Sequence, residues 1–234
     1  MSESPTLYII DSHSHLYASF FAIPNLRAPS GEPTGATYGF TAAVLKILRE
    51  KKPDYLVAVY DAPAELRRKE EYAEYKITRK PMPDDLVPQI DRSKQILEAL
   101  GVRVVMAPGY EADDLVATFT RQARSDGVQV VIVSRDKDLM QLLAPGVTMF
   151  DNRSDLVMDE AWLLAENQRI DEALAACRPA PWGEQPPVML QMRAARICAG
   201  HGRTDRAIEL YRKIVTEDPV NADAWQGLAD AYDA

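Results

Sequence analysis

Acidic side chains in this sequence follow, or open the segment after, apolar runs that have the character of buried strands. Seven carboxylates occupy such positions: Asp11, Asp61, Glu111, Asp113, Asp114, Asp136 and Asp138. Carboxylates that converge from separate strands repel one another, so such a cluster persists when cations neutralise it. An all-oxygen site selects Mg²⁺ or Mn²⁺. Divalent ions in an acidic site favour phosphoryl transfer to water, and in the simplest case phosphodiester hydrolysis.

Two of the acidic motifs also have an ordinary structural interpretation. The segment 109–114 (GYEADD) places acids in the first turn of a predicted helix, where they complement the positive helix end. The segment 134–139 (SRDKDL) follows a strand directly and can cap a short helix. Because Asp11 and Asp61 stand at two further strand ends, a metal site explains the pattern better than capping does.

A third feature is a basic stretch with interleaved tyrosines. Its members are Arg67, Arg68, Lys69, Tyr72, Tyr75, Lys76, Arg79 and Lys80. Basic groups contact phosphates and aromatic rings stack on bases, so the stretch suits single-stranded nucleic acid. Glutamates within it dilute the positive charge, and a solvated helix with internal ion pairs remains the alternative. Its place beside the acidic motifs favours the nucleic-acid interpretation.

Alternating strands and helices position these groups. Apolar runs predict strands at Leu7–Ile10, Tyr55–Tyr60, Val102–Met106, Val128–Val133 and Val147–Phe150. Helical patterns lie between them, and Asp84 is expected to cap one that runs to about Leu100. The alternation predicts an open parallel sheet with helices on both faces and a working site at the carboxyl ends of the strands.

Composition and the remaining candidate residues narrow the interpretation further. The net charge of −8 argues against indiscriminate binding to nucleic acid, although a local basic patch is compatible with it. Cys177 and Cys198 lack metal-site spacing, which predicts reduced thiols and a cytoplasmic protein. No export signal or membrane-spanning run is visible. His13 and His15 are expected at the surface or in support of the acids, because a Mg²⁺ site disfavours imidazole.

The segments that carry these residues resemble the bacterial and phage 5′-3′ exonuclease family, which includes the N-terminal nuclease domain of DNA polymerase I and the flap endonucleases. The matching segments cover about residues 6–150 in family order and are LYIIDSHSHLYASFFA, PTGATYGF, YLVAVYDA, EEYAEYKITRKPMPDDLVPQI, GYEADDLVATF and VVIVSRDKDLMQLL. The resemblance implies an α/β fold of the PIN-like (resolvase-like) type, with a mostly parallel sheet and helices on both faces.

The resemblance also implies roles for individual residues. The seven carboxylates would bind Mg²⁺ or Mn²⁺, as two ions. Lys76 and Arg79 would be the catalytic basic groups of a helical arch, in contact with the scissile phosphate and the threaded strand. The resemblance and the basic stretch together predict the nucleic-acid contacts, which are Tyr17, Arg67, Arg68, Tyr72, Tyr75, Lys76, Arg79 and Lys80.

The chain departs from the family pattern at several places. Ser12 and Arg135 stand where the family usually has glycine, and Ala18 stands where it often has arginine, which removes one phosphate contact. After Phe150 no segment resembles the family's helix–three-turn–helix region, which grips duplex DNA, binds a potassium ion and adds aspartates to the second metal. We therefore expect the second ion to be weakly held.

Beyond about residue 159 the sequence becomes alanine-rich and resembles tetratricopeptide repeats. The pattern runs from Ala194 to Tyr232 over about one and a half repeats, and Pro219 ends one unit. We expect a nuclease domain at residues 1–158 and a small all-α tetratricopeptide-like segment at 159–234 that can bind a protein partner. A plain helical cap remains the alternative.

These features predict a divalent-metal-dependent 5′-3′ exonuclease or flap endonuclease that hydrolyses DNA at 5′ ends, flaps or single strands. Two other functions remain open at this point. One is a catalytically weakened remnant that serves as a scaffold for nucleic acid or protein through its tetratricopeptide-like part. The other is a PIN-like nuclease that cleaves RNA.

Overall fold

A computed structural model describes residues 4–62, 81–177 and 188–233. The chain divides into two compact units, Met1–Val157 and Met158–Ala234. No helix in the described ranges is both long and apolar enough to cross a membrane.

In the part of the chain that the structure describes, the sheet has six strands, and their order explains why one edge carries the acids. The strands are β1 (Thr6–Asp11), β2 (Tyr55–Val59), β3 (Arg103–Val105), β4 (Gln129–Val133), β5 (Val147–Asp151) and β6 (Leu156–Met158). Their order is β3-β2-β1-β4-β5-β6, and all pairs from β3 to β5 are parallel. The central strand β1 buries Ile9 and Ile10 on alternate faces, which is why its sequence is a continuous apolar run.

Within residues 4–62 and 81–157, four α-helices pack with this sheet. They are α1 (Ser12–Ala22), α2 (Gly35–Lys46), α3 (Val87–Ala99) and α4 (Ala112–Ser125). A π-helical turn, Ile47–Lys51, continues α2, and a 3₁₀-helix spans Lys137–Leu142. The start of α2 lies so close to the end of α1 that a Cβ on Gly35 would stand 2.1 Å from the carbonyl oxygen of Ile23. Only glycine fits this approach.

The predicted α/β fold with a mostly parallel sheet is confirmed, but one predicted helix start is wrong. Asp84 does not cap α3, whose N-cap position is Leu86 and has no side-chain cap hydrogen bond. The chain first makes a turn in which the Leu86 N–H donates to the Pro83 carbonyl at 2.9 Å. Pro88 then occupies the first turn of α3, where its missing N–H costs nothing.

The second unit is helical. Its helices are α5 (Glu160–Glu166), α6 (Ile170–Ala176), α7 (Val188–Gly200), α8 (Thr204–Glu217) and α9 (Ala222–Asp233). Helices α7, α8 and α9 share a core that contains Ala195, Ala207 and Ile214. A Cβ on Gly227 would lie 2.5 Å from the Tyr211 ring, so the small residues of this segment allow close helix packing.

Candidate active site

Three acid-bearing segments meet at the carboxyl edge of the parallel sheet. Asp11 is the last residue of β1 and pairs in register with Val59, the last residue of β2, just before Asp61. On the other side, Ile10 pairs with Val133, so Ser134 follows β4 beside Asp11. Because parallel strands end at a common edge, Asp11 lies between Asp61 and the loop after β4.

Asp11 is buried, with 4% of its surface exposed. Its Oδ1 accepts a hydrogen bond from the Ser14 N–H at 3.2 Å, which makes Asp11 the N-cap of α1, and its Oδ2 accepts from Ser134 Oγ at 2.7 Å. Burial raises the pKa of Asp11 despite these two bonds, and the nearby charges of Asp61 and Asp136 raise it further. A cation at this place would reverse both effects, since it stabilises the ionised carboxylate.

Ser134 connects two of the acids through one hydroxyl. Besides donating to Asp11, its Oγ accepts from the Asp136 backbone N–H at 3.0 Å, and the residue is fully buried. Asp136 in turn caps the 3₁₀-helix, because its Oδ1 accepts from the N–H of the exposed Asp138 at 2.9 Å. The end of β1 and the loop after β4 are therefore held in a fixed relation. Sequence reasoning did not single out Ser134.

Asp61 connects the end of β2 to the start of α4. Its Oδ1 accepts from the Ala112 N–H at 2.8 Å. Glu111 and Asp114 form a capping box, in which the Glu111 N–H donates to Asp114 Oδ2 at 3.0 Å, and the half-buried Asp113 shares this first turn. The acids of this motif therefore do cap the helix, as its ordinary structural interpretation predicts. It remains compatible with cation binding, because the turn lies at the same sheet edge as Asp61.

The donor set fits a hard divalent cation, since it consists of carboxylate oxygens. Within residues 4–62, 81–177 and 188–233, however, no three Asp, Glu, His or Cys side chains are placed to bind one ion together. Oxygens of Asp61, Asp114 and Asp136 accept backbone N–H groups instead. A bound cation would have to bring these carboxylates closer than they are here.

The two histidines after Asp11 have different surroundings. His13 Nδ1 accepts from the Asp61 N–H at 3.1 Å, so this residue does support an acid. The surface position is wrong for His15, which is 8% exposed and packs near Phe40, and its support of the acids stays a prediction. Burial lowers the pKa of His15 to about 4. The reason is α1, which brings Ser12, His15 and Leu16 onto its buried face.

The remaining predicted contacts fall into two groups. Tyr17 is half-buried on α1 and packs against the main hydrophobic core. Seven predicted contacts lie outside the described residues: Arg67, Arg68, Tyr72, Tyr75, Lys76, Arg79 and Lys80. Arg135, which replaces the family's usual glycine, places its Nε 3.5 Å from Asp151 Oδ2 at the end of β5.

The fold and the acidic sheet edge define a nuclease-like α/β domain, and comparison with protein families identifies it further. Residues 6–168 match the model of the 5′-3′ exonuclease, N-terminal resolvase-like domain, and residues 188–231 match a tetratricopeptide repeat. The chain belongs to the 5′-3′ exonuclease family. The match extends beyond the residues that the sequence motifs covered.

Curated relatives are similar to this chain over 61–73% of its length. A 5′-3′ exonuclease of Aquifex aeolicus is 40% identical over 174 residues, which are 73% of this chain and 60% of the relative. DNA polymerase I of Caldicellulosiruptor bescii is 42% identical over 143 residues, which are 61% of this chain and 17% of that protein. The chain therefore covers less than two thirds of the length of these relatives.

Solved structures of bacteriophage T5 proteins have a related fold. The flap endonuclease in a complex with DNA and metal ions has a TM-score of 0.55 at 11% identity, over 97% of this chain and 98% of that one. The 5′-exonuclease with bound zinc has a TM-score of 0.55 at 12% identity over the same shares. At this identity the likeness concerns the fold alone.

Proposed function

We propose that this chain is a divalent-metal-dependent 5′-3′ exonuclease or flap endonuclease that hydrolyses DNA phosphodiester bonds. The observation that carries the proposal is the hydrogen-bonded linkage of acids at one sheet edge, from Asp11 through Ser134 to Asp136. Family membership supports the reaction class and favours the nuclease over the scaffold function. The T5 flap endonuclease complex with DNA and metal ions supports the choice of substrate and cofactor.

The proposed site uses the acids as a group. Mg²⁺ or Mn²⁺, when bound, would supply Lewis-acid chemistry at the phosphate and lower the pKa of a water. The residues that would hold two ions, the second weakly, are Asp11, Asp61, Glu111, Asp113, Asp114, Asp136 and Asp138. Ser134 bonds to Asp11 and to the Asp136 N–H, and the Ala112 N–H at the start of α4 bonds to Asp61, so these bonds orient the elements that carry the acids. Lys76 and Arg79 would offset the charge that develops on the scissile phosphate.

The two parts of the chain would have separate tasks. We assign residues 1–158 to the nuclease domain and residues 159–234 to a tetratricopeptide-like segment that binds a protein partner. The repeat match at residues 188–231 supports the second assignment. The cytoplasm is the proposed location, since reduced thiols and a DNA substrate belong there.

The proposal is tested by Asp136→Asn, which removes the charge but keeps an oxygen that can cap the 3₁₀-helix. A labelled duplex with a 5′ flap is incubated with Mg²⁺ or Mn²⁺, and the variant should cleave at least about a hundredfold more slowly than the unchanged protein. Asp54→Asn is the matched control. Asp54 Oδ2 also accepts a backbone N–H, from Thr6 at 2.8 Å, but at the amino end of the sheet.

Three outcomes would contradict the proposal: full activity of Asp136→Asn, cleavage that persists in a chelator, and no cleavage by the unchanged protein. An RNA flap of the same sequence, assayed in parallel, distinguishes the DNA substrate from an RNA substrate, which a PIN-like ribonuclease would prefer.

A further inference from the structure

His13 lies between two of the acid-bearing elements. It belongs to the first turn of α1, close after Asp11, and its Nδ1 accepts the Asp61 backbone N–H at 3.1 Å. The same nitrogen is 3.7 Å from Asp61 Oδ2, and the His13 side chain is only 12% exposed. Its ring meets Tyr60 edge-on, with the ring centroids 5.6 Å apart. The imidazole therefore contacts both the backbone and the carboxylate of Asp61.

The contact at Asp61 extends to a third element. Asp61 Oδ1 accepts the N–H of Ala112, the first residue of α4, at 2.8 Å. A displacement of the Asp61 backbone would change the position of its carboxylate relative to Asp11 and weaken its bond to α4. One histidine acceptor thus influences the alignment of β2, α1 and α4 at the acidic sheet edge.

We propose that His13 is a positioning residue for the candidate metal centre. By accepting the Asp61 N–H, it holds the Asp61 carboxylate in the orientation that cation binding needs. This role rests on the proposed function. It differs from direct ligation, because the ring nitrogen facing Asp61 is occupied by the backbone N–H. Residues that orient ligands in this way commonly change metal affinity by about tenfold to a hundredfold when they are replaced.

Two substitutions separate the acceptor from the ring. His13→Asn keeps an acceptor one bond from Cγ, as Nδ1 is, but removes the ring packing against Tyr60. His13→Phe keeps a ring and removes the acceptor. The dissociation constant for Mn²⁺, measured by titration calorimetry on the full chain, should rise about tenfold or more in His13→Phe. It should stay within about threefold of the original value in His13→Asn.

Flap cleavage against Mg²⁺ concentration should change in parallel, with a higher half-maximal concentration for His13→Phe. Mn²⁺ affinity of His13→Phe equal to that of the unchanged protein overturns the positioning role. Equal weakening in both variants also overturns it, because ring packing would then be the cause. If His13→Phe does not fold, His13→Gln replaces it, since its acceptor lies one bond further from the backbone and should give the same loss.

A measurement without metal separates this inference from the proposed function. Hydrogen exchange of the Asp61 amide, followed by NMR on the metal-free protein, should be faster in His13→Phe than in the unchanged protein and in His13→Asn. Unchanged exchange in His13→Phe overturns the inference. A protein that shows the expected exchange pattern but never cleaves DNA overturns only the proposed function.

Discussion

Replacing Ser134 by alanine removes a single hydroxyl that makes two hydrogen bonds at a fully buried position. Ser134 Oγ donates to Asp11 Oδ2 at 2.7 Å and accepts from the Asp136 N–H at 3.0 Å. In the variant, the buried Asp11 carboxylate keeps its bond from the Ser14 N–H but loses its hydroxyl donor. The Asp136 N–H loses its acceptor. Both losses lower the stability of the folded state.

The magnitude follows from the chemistry of the two bonds. A hydrogen bond to a charged group contributes about 1.5–3 kcal/mol and a neutral one about 0.5–1.5 kcal/mol. The free energy of unfolding should therefore fall by about 2–4 kcal/mol in Ser134→Ala. For a domain of this size, each kcal/mol lost from the free energy of unfolding lowers Tm by about 2–4 °C, so Tm should fall by roughly 5–15 °C.

The assay is thermal unfolding of the metal-free protein, followed by circular dichroism. Ser125→Ala is the matched control, because Ser125 Oγ donates to the Gln122 carbonyl at 2.7 Å on an exposed part of α4. Its effect should stay below about 0.5 kcal/mol. A Tm of Ser134→Ala that matches that of Ser125→Ala would refute the idea that Ser134 holds the two acids in place.

Two further predictions concern charge and packing. Asp11→Asn should stabilise the metal-free protein at neutral pH, because burial raises the pKa of Asp11 in the folded state. The contribution of protonated Asp11 to the free energy of unfolding is complete below about pH 4 and is lost as the pH rises through the folded-state pKa. Urea unfolding at a series of pH values measures the free energy of unfolding of both proteins, and an equal dependence on pH in the two would contradict the prediction. Added Mg²⁺ should raise the Tm of the unchanged protein only. Gly35→Ala should lower the free energy of unfolding by about 1–3 kcal/mol, because its Cβ would stand 2.1 Å from the Ile23 carbonyl oxygen. Gly200→Ala is the control, because a Cβ at Gly200 would meet no neighbouring atom within 4 Å. An equal Tm for the two variants would contradict the prediction, because α1 and α2 could then move apart at little cost.

The sheet was predictable because its strands are covered on both faces. The predicted strands Leu7–Ile10 and Tyr55–Tyr60 correspond to β1 and β2 within a residue at each end. Helix α1 was not predicted, since it follows β1 without a turn and its buried face includes the polar residues Ser12 and His15. The hydrophobic pattern therefore carries no helical period there, and the burial of His15 could not be foreseen.

The acids were predictable at the level of strand ends, and their metal binding stays a prediction. The bonds that hold them were not predictable. Ser134 and Asp11 are 123 residues apart in the chain, and their contact depends on the register between β1 and β4. The contact of His13 with Asp61 depends similarly on where α1 begins. Such pairings are properties of the folded backbone rather than of any local pattern.

Asp11 has two duties at once, as the start of α1 and as a member of the acidic sheet edge. The helix tolerates Asp, Asn, Ser or Thr at this position, because each offers an oxygen to the Ser14 N–H. The proposed metal site at the sheet edge needs Asp at this position, because Asn, Ser and Thr carry no charge. A change from Asp to Asn, Ser or Thr at position 11 would therefore preserve the start of α1 and remove a negative charge that the proposed metal site uses.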